Sequence, residues 1–246
     1  MVREAMGQFT WGGRVVWSII DVARSAIEAG TRRLAIIVDD AFQAIGLDKA
    51  ALYVKGLLGI LEHPPKPYER VIAMAATSEG ISLREIGRHL WSTTMPIWNM
   101  GEDGFRQLYE KLPSERPGPP DEVWRSTGGN PRVLEMLYEA RWNVDRVIER
   151  LILDKKLTGE FVRRWRRELE IVLNDPDYLW SEGPEELANE LVSRNLVVFG
   201  IPGRDPELWV DEPPPGRDPE LGIGRYVAWQ SPLHREAVRR ALQGLM

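Results

Sequence analysis

Residues 34–43 read LAIIVDDAFQ, and this stretch constrains the fold more than any other. Residues 34–38 are apolar without interruption and run directly into Asp39 and Asp40. An unbroken Leu/Ile/Val run suits a strand buried on both faces, as in a parallel sheet. At the carboxyl end of such a strand the chain emerges into the crevice where open α/β sheets bind ligands. Two carboxylates at that point would stand beside such a ligand. The plainer alternative is that Asp39 and Asp40 end a strand and cap the next turn.

The flanking sequence has the rhythm of parallel crossovers. Val15, Ile19, Val22, Ala26 and Ala29 fall on one helical stripe over residues 14–29, which Gly30 closes. A second helix is expected over 48–62, with Asp48 as N-cap and His63-Pro64-Pro65 as the stop. VIAMAA at 71–76 reads as a second buried strand ending in Thr77, Ser78, Glu79 and Gly80; a short helix at 82–90 and a third strand at 95–98 complete the pattern.

Beyond about residue 101 the sheet signal stops. A helix is expected at 101–112, then a linker over 113–120 that holds four prolines. Helices follow near 120–126, 131–141 and 143–156. The middle one has Asn130 in place for the N-cap and Pro131 for the first turn. In the last third, helices at 159–173 and 183–193 precede strands at 196–201 and 226–230 and a helix at 232–244. That is the order of a winged-helix domain. The long loop between the strands carries GRDPEL twice, at 203–208 and 216–221, a small local duplication.

Composition excludes several chemistries. There is no Cys, and His63, His89 and His234 are scattered, so thiolate and histidine metal sites are not expected. No apolar run nears the ~20 residues that cross a bilayer, and the first residues lack a signal-peptide core, so the expectation is a cytoplasmic chain without membrane contact. Six of the 32 basic residues are Lys (Lys49, Lys55, Lys66, Lys111, Lys155 and Lys156), which leaves 26 Arg. Heavy Arg use with 18 Pro suits a thermophile, although genomic base composition gives the same bias.

The segment from about 14 to 157 resembles the archaeal ATPase family, a branch of the AAA+/STAND P-loop ATPases. The matching stretches are LAIIVDDAFQAIG as Walker B, VIAMAATSEG, LREIGRHL, and TGGNPRVLE at 127–135. The resemblance implies an α/β fold class: a partial parallel-sheet P-loop core at 1–112, an all-α lid at 113–157, and the winged helix at 158–246. It implies Mg-ATP as cofactor. Asp39 is similar to the acid that holds Mg²⁺ through water. Asp40 stands where the family usually has a catalytic Glu. Thr77 or Ser78 resembles the sensor that faces the γ-phosphate. Gly129, Asn130 and Pro131 are similar to the turn by which the lid approaches the nucleotide, with Arg132 as a sensor cation. Arg84 and Arg88 share one helix face and are arginine-finger candidates toward a neighbouring subunit.

One departure is large. A P-loop needs G-x-x-x-x-G-K-[ST] ahead of Walker B, so that backbone N–H groups and a Lys cradle the phosphates. No Gly is followed by Lys anywhere in the chain. The expectation is therefore a regulatory or switch ATPase relative, either part of a longer ATP-binding protein or one that has lost its nucleotide grip, and a poor ATPase alone. A protein partner or the missing ATPase half is the expected contact. The alternative is a non-enzymatic, DNA-associated winged-helix protein that keeps an ATPase shell. DNA is disfavoured because the helix at 183–193 carries Glu185, Glu186 and Glu190. The basic run Arg163, Arg164, Arg166, Arg167 alternates with glutamates and reads as a salt-bridged face. Trp209, in the polar loop, is expected at a partner contact, and most other Trp residues in the core.

Overall fold

The computed structural model describes residues 11–40, 45–77, 93–113 and 118–244, with the backbone alone for 11–16 and 47–51. The chain forms two compact units, Met1–Thr94 and Met95–Met246.

The first unit contains helix α1 (Trp11–Glu28), strand β1 (Arg33–Asp39), helix α2 (Leu47–Glu62) and strand β2 (Arg70–Ala76). The strands pair in parallel, with Arg33 abreast of Arg70 and Asp39 abreast of Ala76. Trp17, Ile20, Ala23 and Ile27 of α1 pack with Tyr53, Leu57 and Ile60 of α2 and with Ile36 and Val38 of β1. The buried stripe of α1 is thus rotated one position from the expected one, and Val22 is exposed. The large Trp17 ring decides the rotation: it meets Tyr53 edge-on at 5.4 Å. Gly56 makes room for α1, since a Cβ there would stand 2.6 Å from Ile20 Cδ1. Helix α2 begins one residue before Asp48, and Gly46, at φ 85°, is its uncapped N-cap.

Burial on both faces of the strands is not what forms. Along β1 only Ile36 and Val38 are buried, whereas Ile37 is 71% exposed, as are Ile72 and Met74 of β2 to about half. The helices cover one face, and among the described residues nothing covers the other. The third expected strand is also absent: residues 95–98 form no strand and belong to the second unit. Pro96 lacks an N–H to donate, and its carbonyl accepts from Val210 N (3.1 Å), so this segment is tied to the distal loop.

The second unit holds α3 (Glu102–Glu110), α4 (Pro120–Thr127), α5 (Pro131–Glu139), α6 (Val144–Asp154), α7 (Gly159–Arg164), α8 (Arg166–Asn174), α9 (Tyr178–Ser181), α10 (Glu185–Ser193), β3 (Val197–Phe199), β4 (Val227–Trp229) and α11 (Pro232–Gln243). One core runs through it, from Phe105 and Tyr109 through Leu134, Ile148, Leu169 and Leu187 to Trp229 and Val238. The expected helix at 159–173 breaks at Trp165, whose indole N–H donates to Glu190 (3.1 Å). Strands β3 and β4 are antiparallel, with Val198 opposite Ala228. A satellite cluster of Ile201, Trp209, Leu221, Ile223 and Ala228 fills the space under the long loop. Trp209 is therefore buried, 3% exposed, and not a surface contact. It meets Trp98 edge-on at 6.3 Å and donates to the Gly203 carbonyl (2.9 Å). No described helix is long and apolar enough to cross a membrane.

Candidate functional site

Parallel pairing of β1 with β2 carries Asp39, Asp40 and Thr77 to one carboxyl edge. Asp39 lies abreast of Ala76, and the Asp40 N–H donates to the Ala76 carbonyl (3.1 Å). Asp40 adopts a left-handed backbone, φ 50°, unusual for a residue with a Cβ. Asp39 Oδ1 accepts from the Asp40 N–H (3.0 Å), so one carboxylate oxygen closes the turn after the strand. Both aspartates are exposed. Ser78, Arg84 and Arg88 lie outside the described residues.

The second expected cluster folds as its sequence implies but faces inward. Asn130 caps α5, its Oδ1 accepting from the Val133 N–H (3.1 Å). Its amide N–H groups reach Asn99 Oδ1 (3.1 Å) and the Gln230 carbonyl (3.3 Å). Gly129, at φ +73°, lets Met100 approach so closely that a Cβ would stand 2.1 Å from the Met100 carbonyl oxygen. Gly128 is left-handed too, and a Cβ on it would meet Pro232 Cδ at 2.8 Å. Arg132 pairs with Glu135 one turn on, both exposed. The turn thus knits the start of α5 to the segment before α3 and to the start of α11.

Whether these residues suit Mg-ATP can be judged from the donor set. Two exposed carboxylates at a sheet edge suit a hydrated divalent cation. No group of three or more acidic or histidine ligands occurs among the described residues, so protein ligands alone make no cage. At this edge no phosphate cradle is present among the described residues: the sequence has no P-loop, and in the Gly128-Gly129-Asn130 turn the N–H groups of Gly128 and Asn130 donate to the Trp124 and Thr127 carbonyls. The residues fit the metal half of the group and not its phosphate half.

Some of the basic residues of the second unit are neutralised, whereas no ion pair of Arg163 or Arg167 is found among the described residues. Arg164 pairs with Glu186 and Glu190, Arg166 with Glu170, Arg239 with Glu236, and Arg240 with Asp145. Arg194 donates to the carbonyls of Lys155 and Lys156, pairs with Glu190, and lies 4.2 Å over Phe161.

Three residues, Asp177, Arg235 and Trp180, organise the loop. Asp177 accepts from three consecutive backbone N–H groups, those of Arg225 (2.7 Å), Tyr226 (2.8 Å) and Val227 (3.0 Å). Arg235 reaches the carbonyls of Leu173 (2.7 Å) and Pro219 (2.6 Å). Trp180, 49% exposed, stacks on Tyr226 at 4.9 Å. Nothing in the local sequence marks Asp177, because its partners lie some fifty positions away.

A parallel strand pair with its helices, followed by a mainly helical unit with a small antiparallel pair, makes this a mixed α/β protein. The family of ATPase domains found predominantly in Archaea matches residues 2–137, more than half of the chain, and the chain belongs to that family. No curated protein and no solved structure matches it.

Proposed function

We propose that the chain is an ATPase-related regulatory or switch protein of the AAA+/STAND type, with β1 as its Walker B strand. The observation that carries this reading is the parallel β1–β2 pair, which brings Asp39, Asp40 and Thr77 to one edge. In this reading Asp39 would hold a hydrated Mg²⁺, and Asp40 would polarise the water that attacks the γ-phosphate. Thr77 or Ser78 faces the phosphate, and Arg84 or Arg88 addresses a neighbouring subunit. Gly129, Asn130, Pro131 and Arg132 start the lid. Bound Mg-ATP would supply the charge that a switch responds to. These 246 residues carry no P-loop, so in this reading the phosphate grip is either supplied by another ATPase segment or lost. Parallel sheets are ordinarily covered on both faces. The exposed Ile37, Ile72 and Met74 are what an ATPase segment with its own strand and helix would cover.

We read residues 158–246 as a winged helix used for protein contact. The pairing of Arg164 with Glu186 and Glu190 supports this over DNA reading, because α10 presents carboxylates.

Calorimetric titration of Mg-ATP into the chain tests the proposal. The expected result is weak or no binding alone, and binding sensitive to Asp39→Ala once a P-loop segment is supplied. Micromolar affinity of the chain alone would refute the missing grip. Binding with the segment that Asp39→Ala leaves unchanged would refute the Walker B reading.

A further inference from the structure

The two GRDPEL copies converge in space. Gly203-Arg204 from the first and Gly216-Arg217 from the second line one groove of about 580 Å³, together with Arg225 and Tyr226. That volume suits a small ligand. Arg204, Arg217 and Arg225 are among the residues that line it and no Asp or Glu is, in a chain whose net charge is −5.

Each arginine is held differently. The Arg204 guanidinium donates to the carbonyls of Pro215 (3.4 Å), Arg225 (2.6 Å) and Gly224 (2.8 Å). That leaves two of its five N–H groups and a charge with no ion pair. Its partial desolvation lowers its pKa, against the pull of Asp177. The Asp177 carboxylate is itself engaged by three backbone N–H groups. Arg225 lies 5.0 Å over the Tyr226 ring, which Trp180 stacks, and it has no carboxylate partner among the described residues. Arg217 has only a loose, exposed pair with Asp175 at 3.5 Å.

The glycines give an independent indication. Two glycines of this loop are required by packing: at Gly224 a Cβ would lie 2.4 Å from Asp177 Oδ1, and at Gly222 it would lie 2.8 Å from Trp229; at Gly203 it would make only ordinary contact, 3.7 Å from Leu208 Cδ1. Gly216 is different. It needs no left-handed backbone, and a Cβ there would meet nothing within 4 Å. A bare backbone facing open space beside arginines keeps a groove open and lets a ligand approach closely.

We infer that this groove, walled by Arg204, Arg217 and Arg225, binds a compact phosphate-bearing anion. Guanidinium forks match phosphate oxygens, and the partial desolvation of Arg204 strengthens such a pair over one in bulk water. The ligand is compact because each repeat continues into acid: Asp205 and Glu207 follow Arg204, and Asp218 and Glu220 follow Arg217. A polyanion extending past the groove would be repelled. The site is separate from the Asp39–Asp40 edge and does not depend on the ATPase reading.

The test is calorimetric titration of the full chain with inorganic pyrophosphate, in low salt and without Mg²⁺. Saturable binding is expected. Arg225→Gln and Gly216→Val should each weaken it tenfold or more with an unchanged thermal midpoint, whereas Asp39→Ala should leave it as it was. ADP in place of pyrophosphate distinguishes a nucleotide from a free diphosphate as the source, and binding of either with that pattern of variants supports the site. Absence of saturable binding would overturn it, as would binding that both groove variants retain. Tighter binding of a thymidine oligonucleotide than of pyrophosphate would also overturn it, in favour of nucleic acid.

Discussion

Lowering the pH should unfold the second unit through one histidine. His234 is 6% exposed at the start of α11. The Ser231 hydroxyl accepts from the His234 backbone N–H (3.3 Å) and lies 2.8 Å from its Nδ1. With that oxygen already accepting, its proton points at Nδ1, so the ring is assigned as neutral with its proton on Nε2. Burial, with the Lys155 ammonium adding to it, pushes the His234 pKa down from 6.5 to about 3. The sign follows from the direction. The unfolded chain takes up a proton near pH 6.5 and the folded chain does not until about pH 3. Stability is therefore fully present above pH 6.5 and is lost progressively below it, at about 1.4 kcal/mol per pH unit. Between pH 7 and pH 5 the loss is about 2 kcal/mol, and it approaches about 5 kcal/mol near pH 3. Against a usual stability of about 5–15 kcal/mol, that is a large fraction. Urea unfolding at pH 7, 6 and 5 reads it, in a range above the ordinary titration of carboxylates. His234→Gln keeps an acceptor for Ser231 and should flatten the profile between pH 7 and 5. A wild-type profile that is flat there, or one that His234→Gln leaves just as steep, would refute the reasoning.

Two further perturbations are sharp. Gly129→Ala places a Cβ at φ +73° against the Met100 carbonyl; a loss on the order of 3 kcal/mol is expected in urea unfolding. Asp177→Ala strips the acceptor from three backbone N–H groups at the foot of β4; about 3 kcal/mol should be lost, and less in Asp177→Asn, which keeps an acceptor oxygen.

What could be read in the sequence was local. The Asn130 cap, Pro131 in the first turn, the stop after Glu62 and the end of β1 at Asp39 each depend on residues a few positions apart. They formed as read. The misreadings all needed distant partners. The run at 34–38 looks buried on both faces, but whether a second layer covers Ile37 is not a property of β1. Residues 95–98 have strand composition, yet Val210 and Trp209 claim them. Trp209 looks stranded in a polar loop until Ile201, Leu221 and Ile223 close around it. The stripe of α1 was set by the bulk of Trp17, not by a count of apolar positions. At the proposed groove, only the repeated GRDPEL was visible, with no sign that its two arginines share a wall with Arg225.

The duplicated hexapeptide makes the loop its own controlled comparison. Both copies make the same turn: Asp205 Oδ1 accepts from the Glu207 N–H (3.0 Å), and Asp218 Oδ1 from the Glu220 N–H (2.9 Å). The final leucines then diverge, Leu208 at 43% exposure and Leu221 at 8%. The same six letters, followed by Trp209 in one copy and by Gly222 in the other, end in two surroundings, one aqueous and one oily. Trimming each leucine to Ala in turn separates what six residues dictate from what the surrounding fold imposes, with the peptide chemistry held constant.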